Sequence, residues 1–120
     1  SGKLYTCDIS NNNIENAKKF TKKYSKYINY VVDDSINFLN NFNDKIDLLY
    51  LDSLDGHDQI NASKHQIEEI KAANRNLNEN SLVLLDDKGT KTNLSLDYLI
   101  KINYKILYET EYQILLSQST

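Results

Sequence analysis

The chain has 120 residues, 40% of them hydrophobic and 26% charged, with a formal net charge of −3. That length suits one domain with a real core but is short for a complete doubly wound enzyme, and the acidic balance leaves nucleic-acid binding without electrostatic support. The lone cysteine, Cys7, excludes an internal disulfide, and with no long apolar span or leader pattern the reading is a cytoplasmic chain with no membrane partner.

Leu4–Asp8 reads as a short strand, followed by Ser10-Asn11-Asn12-Asn13, any of which can cap a helix. The spacing of Ile14, Ala17, Phe20 or Thr21, and Tyr24 predicts a helix over about 13–24 with those residues facing a core. Lys18, Lys19, Lys22, Lys23 and Lys26 gather on its other face and toward its C-terminus, where they favour the helix dipole and read as a solvated face. Ile28–Val32 is a second strand, and Asp34-Ser35 opens a helix through Ile36, Phe38, Leu39 and Phe42. The apolar run Ile46–Leu51 reads as a strand covered on both faces. A polar loop, Ser53 to Asp58, leads to a helix over about 62–77 with Ile67, Ile70, Ala73 and Leu77 toward a core. Leu82–Leu85 is the fourth strand, followed by Asp86-Asp87-Lys88-Gly89-Thr90 and a helix over about 94–101. Two closing runs, Tyr104–Tyr108 and Tyr112–Leu116, are separated by too few residues for a crossover and form an antiparallel hairpin.

The order β-α-β-α-β-α-β-α-β-β implies an α/β fold, mostly parallel with helices on both faces, in a single domain. In such sheets ligands bind outside the carboxyl ends of the strands. Four strands end on acids there: Asp8, Asp33-Asp34, Asp52 and Asp86-Asp87. Two carboxylates about 4 Å apart repel by roughly 4 kcal/mol at an effective dielectric near 20, so the edge calls for cations or hydroxyl donors. A strand-ending acid can accept from vicinal ribose hydroxyls, and an oxygen-rich cluster can hold a hard divalent cation. Each acid also has a structural reading: Asp8 and Asp34 as helix caps, Asp86-Asp87 as turn residues. Asp52 has the weakest structural reading, because a loop follows it. His57 beside Gly56 reads equally as a base, a ligand or a surface residue. Lys88 and Lys91 lie near the acids that they would neutralise.

Taken together, these residues resemble a class I S-adenosylmethionine-dependent methyltransferase, of the small-molecule O-methyltransferase type, over nearly the whole chain. "GKLYTCDIS" is similar to the strand whose terminal acid holds the cofactor ribose; that assigns Asp8, with Ile9 beside the adenine. "YVVDDSINFL" matches the strand and turn that meet the adenine edge, which assigns Asp34 and Ser35. "KIDLLYLDSLDGH" resembles the strand whose acid lies near methyl transfer, which assigns Asp52 and His57 as catalytic. "NSLVLLDDKG" resembles the next strand, and in the metal-dependent branch the divalent-metal ligands correspond to Asp52 and Asp87, with Asp86 as a substitute for the third. That branch carries asparagine where Lys88 stands, and a protonated lysine has no acceptor for a metal. The family's first strand and glycine-rich loop have no counterpart here. The expected fold is therefore a Rossmann-like methyltransferase sheet with its N-terminal strand missing. The gap falls between the strands ending at Asp8 and Asp52, to be completed by a longer chain or by another copy. The implied partners are S-adenosylmethionine and a small-molecule acceptor, with nucleic acid disfavoured by charge. The competing readings are a non-catalytic Rossmann-like binding or assembly module and, third, a nicotinamide-dependent oxidoreductase.

Overall fold

Residues 2–52, 59–86 and 93–118 are described by the computed structural model, and two compact units, Ser1–Asn41 and Phe42–Thr120, divide the chain. Each unit has its own sheet.

In the first unit β1 (Leu4–Asp8) pairs in parallel with β2 (Ile28–Val32), from Leu4 against Ile28 to Asp8 against Val32. Helix α1 (Asn11–Phe20) begins where the Ser10 hydroxyl accepts the Asn13 N–H at 3.2 Å. It buries Ile14 and stops at Phe20, four residues short of the expected end. Thr21 is the cause: its N–H and its hydroxyl both donate to the Ala17 carbonyl, at 3.0 and 2.6 Å, and a 3-10 segment, Lys22–Tyr27, follows. Phe20 and Tyr24 face outward rather than into a core: Phe20, 89% exposed, lies about 120° round α1 from Ile14, and Tyr24 sits on the 3-10 segment. Helix α2 (Ser35–Asn41) buries Leu39, and its Phe38 ring lies 6.2 Å from Tyr5 of β1, tilted by 40°.

In the second unit the strand order is β3-β4-β6-β5, for β3 (Leu48–Leu51), β4 (Leu82–Leu85), β5 (Lys105–Glu109) and β6 (Ile114–Ser117). β3 and β4 are parallel, and β6 runs antiparallel to both of its neighbours, so the closing hairpin is as expected, with a bulge between Ile106 and Tyr108. Between these strands lie α3 (Gln59–Ala73), a 3-10 turn at Asn74–Asn76, and α4 (Asn93–Lys101). One sheet face carries Leu49, Leu51, Val83, Leu85, Ile114 and Leu116, all buried, and with Ile70, Ala73 and Leu99 of the helices these form the core. The expectation that β3 is covered on both faces is corrected: Leu48 and Tyr50, on the other face, are 54% and 49% exposed. Burial there alternates with the two-residue period of a strand covered on one side. No helix among the described residues is long and apolar enough to cross a membrane.

Hydrogen bonds from polar side chains fix the entry to the second sheet. Asn76, nearly buried, donates through Nδ2 to the carbonyls of Phe42 and Asp44, at 2.9 and 2.8 Å. The Ser81 hydroxyl donates to the Ile46 carbonyl at 2.6 Å and accepts the Asn78 N–H at 3.0 Å. α4 closes with Asn103 at φ 75°; Asn103 N–H reaches Ile100 O and Tyr104 N–H reaches Leu99 O, the paired bonds of a Schellman cap. Asn76→Ala removes the donor to two carbonyls, and urea unfolding of this variant should show a loss of about 1–3 kcal/mol.

Candidate active site

Strand ends place the expected acids, and each unit has its own acidic edge. In the first unit, the Asp8 carboxylate at the end of β1 is oriented by its own chain. Oδ1 accepts the Ser10 N–H at 2.8 Å, and Oδ2 accepts the Asn13 amide at 3.1 Å. Beside it Ile9 is 77% exposed, an apolar side chain with no core to enter. At the end of β2, Asp34 Oδ2 accepts the Asn37 N–H at 3.2 Å, the bond of an N-cap to the third helical residue, so its structural role is realised. Ser35 is the first residue of α2. Asp33, which the sequence reading passed over for a site role, accepts the Asn37 amide on both oxygens, at 3.2 and 2.9 Å. Asn13 and Asn37 were legible only as polar residues at helix starts, and nothing in their spacing marked them as partners of acids.

Cys7 reports how closely these acids gather. Its thiol donates to the Asp33 carbonyl at 3.3 Å. Burial, then the charges of Asp33 and Asp8 and, more weakly, Asp34, push the thiol up to about 11. Cys7 is half-buried, and the acids around it make the edge electronegative.

In the second unit, Leu51 stands against Leu85, so the next residues, Asp52 and Asp86, leave adjacent parallel strands at the same end. Asp52 is exposed, and Asp86 Oδ2 accepts the Tyr50 hydroxyl at 3.2 Å. His57, Asp87 and Lys88 lie outside the described residues. Among the described residues, no group of three or more His, Cys, Asp or Glu side chains is placed to hold a metal ion. Asp52 and Asp86 by themselves do not make the oxygen-rich set that a hard divalent cation takes.

The sequence model of a family described as a methyltransferase domain matches residues 1–88. The chain belongs to this methyltransferase family. Its fold is the Rossmann-like α/β fold of the class I S-adenosylmethionine-dependent methyltransferases, as solved structures bear out. An rRNA methylase from Streptococcus thermophilus superposes with a TM-score of 0.72 at 11% identity, over 98% of this chain and 74% of that one. SMU.1697c from Streptococcus mutans, solved with SAH, gives 0.71 at 10% identity over 96% and 75%. The N-methyltransferase NodS from Bradyrhizobium japonicum gives 0.67 at 11% identity over 98% and 74%. No curated protein matches the sequence.

The electronegative edge has a direct readout. With its thiol near 11, Cys7 is about one part in a thousand thiolate at pH 8, against roughly a quarter for an ordinary thiol. Iodoacetamide alkylation of the folded methyltransferase should therefore rise with pH toward a midpoint near 11, and Asp33→Asn should move that midpoint down.

Proposed function

We propose that this chain binds S-adenosylmethionine and serves methyl transfer, with Asp8 accepting the ribose hydroxyls and Ile9 lying against the adenine. The observation that carries the reading is the Asp8 carboxylate, held at the carboxyl end of β1 by one donor on each oxygen. A carboxylate offers about four acceptor positions, so two remain for a pair of vicinal hydroxyls, and the donor set fits the group. Exposed Ile9 supplies an apolar surface of the kind an adenine ring covers. Asp34 and Ser35 are assigned to the adenine edge; the use of Asp34 as a helix cap occupies one of its oxygens and leaves acceptor capacity on the other. That SMU.1697c was solved with SAH supports the same cofactor class. We read both units as parts of one domain, since the family match runs through both.

When bound, the cofactor supplies a methyl group on a sulfonium, and transfer is a displacement at carbon in which positioning does much of the work. Asp52 is assigned to orient the acceptor or take its proton, with His57 the second candidate for that proton. Two structural neighbours are named rRNA methylases, which weighs against the expectation that nucleic acid is disfavoured as an acceptor; a whole-chain charge is too coarse to exclude it. The acceptor's class is for that reason not assigned from charge.

Isothermal titration with S-adenosylmethionine tests the reading. The wild-type chain should bind, and Asp8→Ala should weaken binding tenfold or more, because hydrogen bonds to a charged group contribute about 1.5–3 kcal/mol each. Equal binding by the two, or none by the wild type, overturns it.

A further inference from the structure

The ten residues 18–27 hold five lysines and no acid, in a chain whose net charge is −3. Three aromatic residues, Phe20, Tyr24 and Tyr27, are interleaved with them at spacings of four and three. All five lysines and all three rings are exposed. Phe20 closes α1 about 120° round the helix from buried Ile14, and Tyr24 and Tyr27 sit on the 3-10 segment that follows, which buries no residue.

Of the lysines, Lys18 pairs with Glu15 at 3.2 Å. None of Lys19, Lys22, Lys23 and Lys26 has a carboxylate partner among the described residues. Lys23 and Lys26 lie over the Tyr24 and Tyr27 rings, at 5.7 and 4.9 Å from the centroids. The same two rings, with Lys3, Leu4, Thr21 and Ile28, line an open, mostly apolar groove of about 460 Å³. It opens beside Leu4 and Ile28, the first residues of β1 and β2, so it lies at the opposite end of the strands from Asp8. Four strand rises separate the two, about 13 Å.

We propose that this surface docks single-stranded nucleic acid, its lysines meeting phosphates and Tyr24 and Tyr27 stacking on bases. Charge complementarity names a polyanion, and exposed rings beside an apolar groove fit one that carries flat, unpaired bases. A helix lying on a membrane would present an apolar stripe, but the buried apolar residue of α1, Ile14, packs inside its own unit, and the exposed rings alternate with charges. The surface needs no cofactor, so it stands apart from the reading of Asp8.

The test is fluorescence anisotropy of labelled oligoadenylate with the whole chain and no cofactor, at salt from about 50 to 200 mM. The wild type should bind, more weakly as salt rises. The variant Lys19→Ala/Lys22→Ala/Lys23→Ala/Lys26→Ala should lose tenfold or more in affinity, with the slope of log affinity against log salt flatter by about 0.7 for each lysine that meets a phosphate. Tyr24→Ala/Tyr27→Ala should weaken binding by about fivefold or more at unchanged slope. Oligodeoxyadenylate separates RNA from DNA, and binding of either supports the surface. Both variants change exposed side chains, and circular dichroism should show wild-type folding; the lysine variant decides the matter alone if the tyrosine variant fails to fold. No binding by the wild type, wild-type affinity in either folded variant, or binding to phosphatidylserine vesicles without binding to either oligonucleotide overturns the proposal.

Discussion

Carboxylates at the ends of adjacent strands repel one another, and the chain contains that repulsion by placing a hydrogen-bond donor beside each acid that it orients. Asp8 is held by Ser10 and Asn13, Asp33 by Asn37, Asp34 by the first turn of α2, and Asp86 by Tyr50. Each donor comes from the cap or first turns of the helix that follows or from the neighbouring strand, so the geometry of the edge is set locally within each unit. Neutral donors leave the charge in place, and the Cys7 thiol registers it. An edge kept acidic and ordered in this way suits hydroxyl-bearing ligands, because a hydroxyl brings the proton that a carboxylate lacks.

Much of this was legible in the sequence because short strands bounded by polar clusters have little room to shift. Leu4–Asp8, Ile28–Val32 and Leu82–Leu85 fall where the apolar runs place them, and the final hairpin follows from the short link. The misreadings have local causes. Periodicity carried α1 through to Tyr24, but the helix ends at Phe20, where the Ala17 carbonyl takes both the N–H and the hydroxyl of Thr21 and the chain tightens to a 3-10 segment. The continuous run into β3 promised two covered faces, yet an apolar residue on a strand does not itself supply a cover, and Leu48 and Tyr50 stay half exposed. The helix expected at 62–77 begins at Gln59 and gives way at Asn74, where Asn76 turns its amide to the Phe42 and Asp44 carbonyls.

The site was legible as positions and not as partnerships. Strand-end acids announce themselves in sequence, but the bonds that orient them come from Ser10, Asn13, Asn37 and Tyr50, whose roles depend on where the backbone carries them. Asn13 looked like one of four interchangeable capping residues, and only the fold distinguishes it as the donor to Asp8. Net charge is coarse in a similar way, since −3 averages an acidic majority with one basic segment that holds no acid, residues 18–27. The basic segment and the acidic edge occupy opposite ends of β1 and β2, so a polyanion and a hydroxyl-rich cofactor would meet different chemistry on one small unit.

The central claim is that the carboxyl end of β1 is a cofactor edge. Amide NMR of the labelled chain during titration with S-adenosylhomocysteine tests it most directly. The account predicts that the largest shifts fall at Asp8, Ile9 and Ser10, with smaller ones at Asp34 and Ser35. Shifts centred on Tyr24 and Tyr27 instead, or no shifts at saturating ligand, would contradict it.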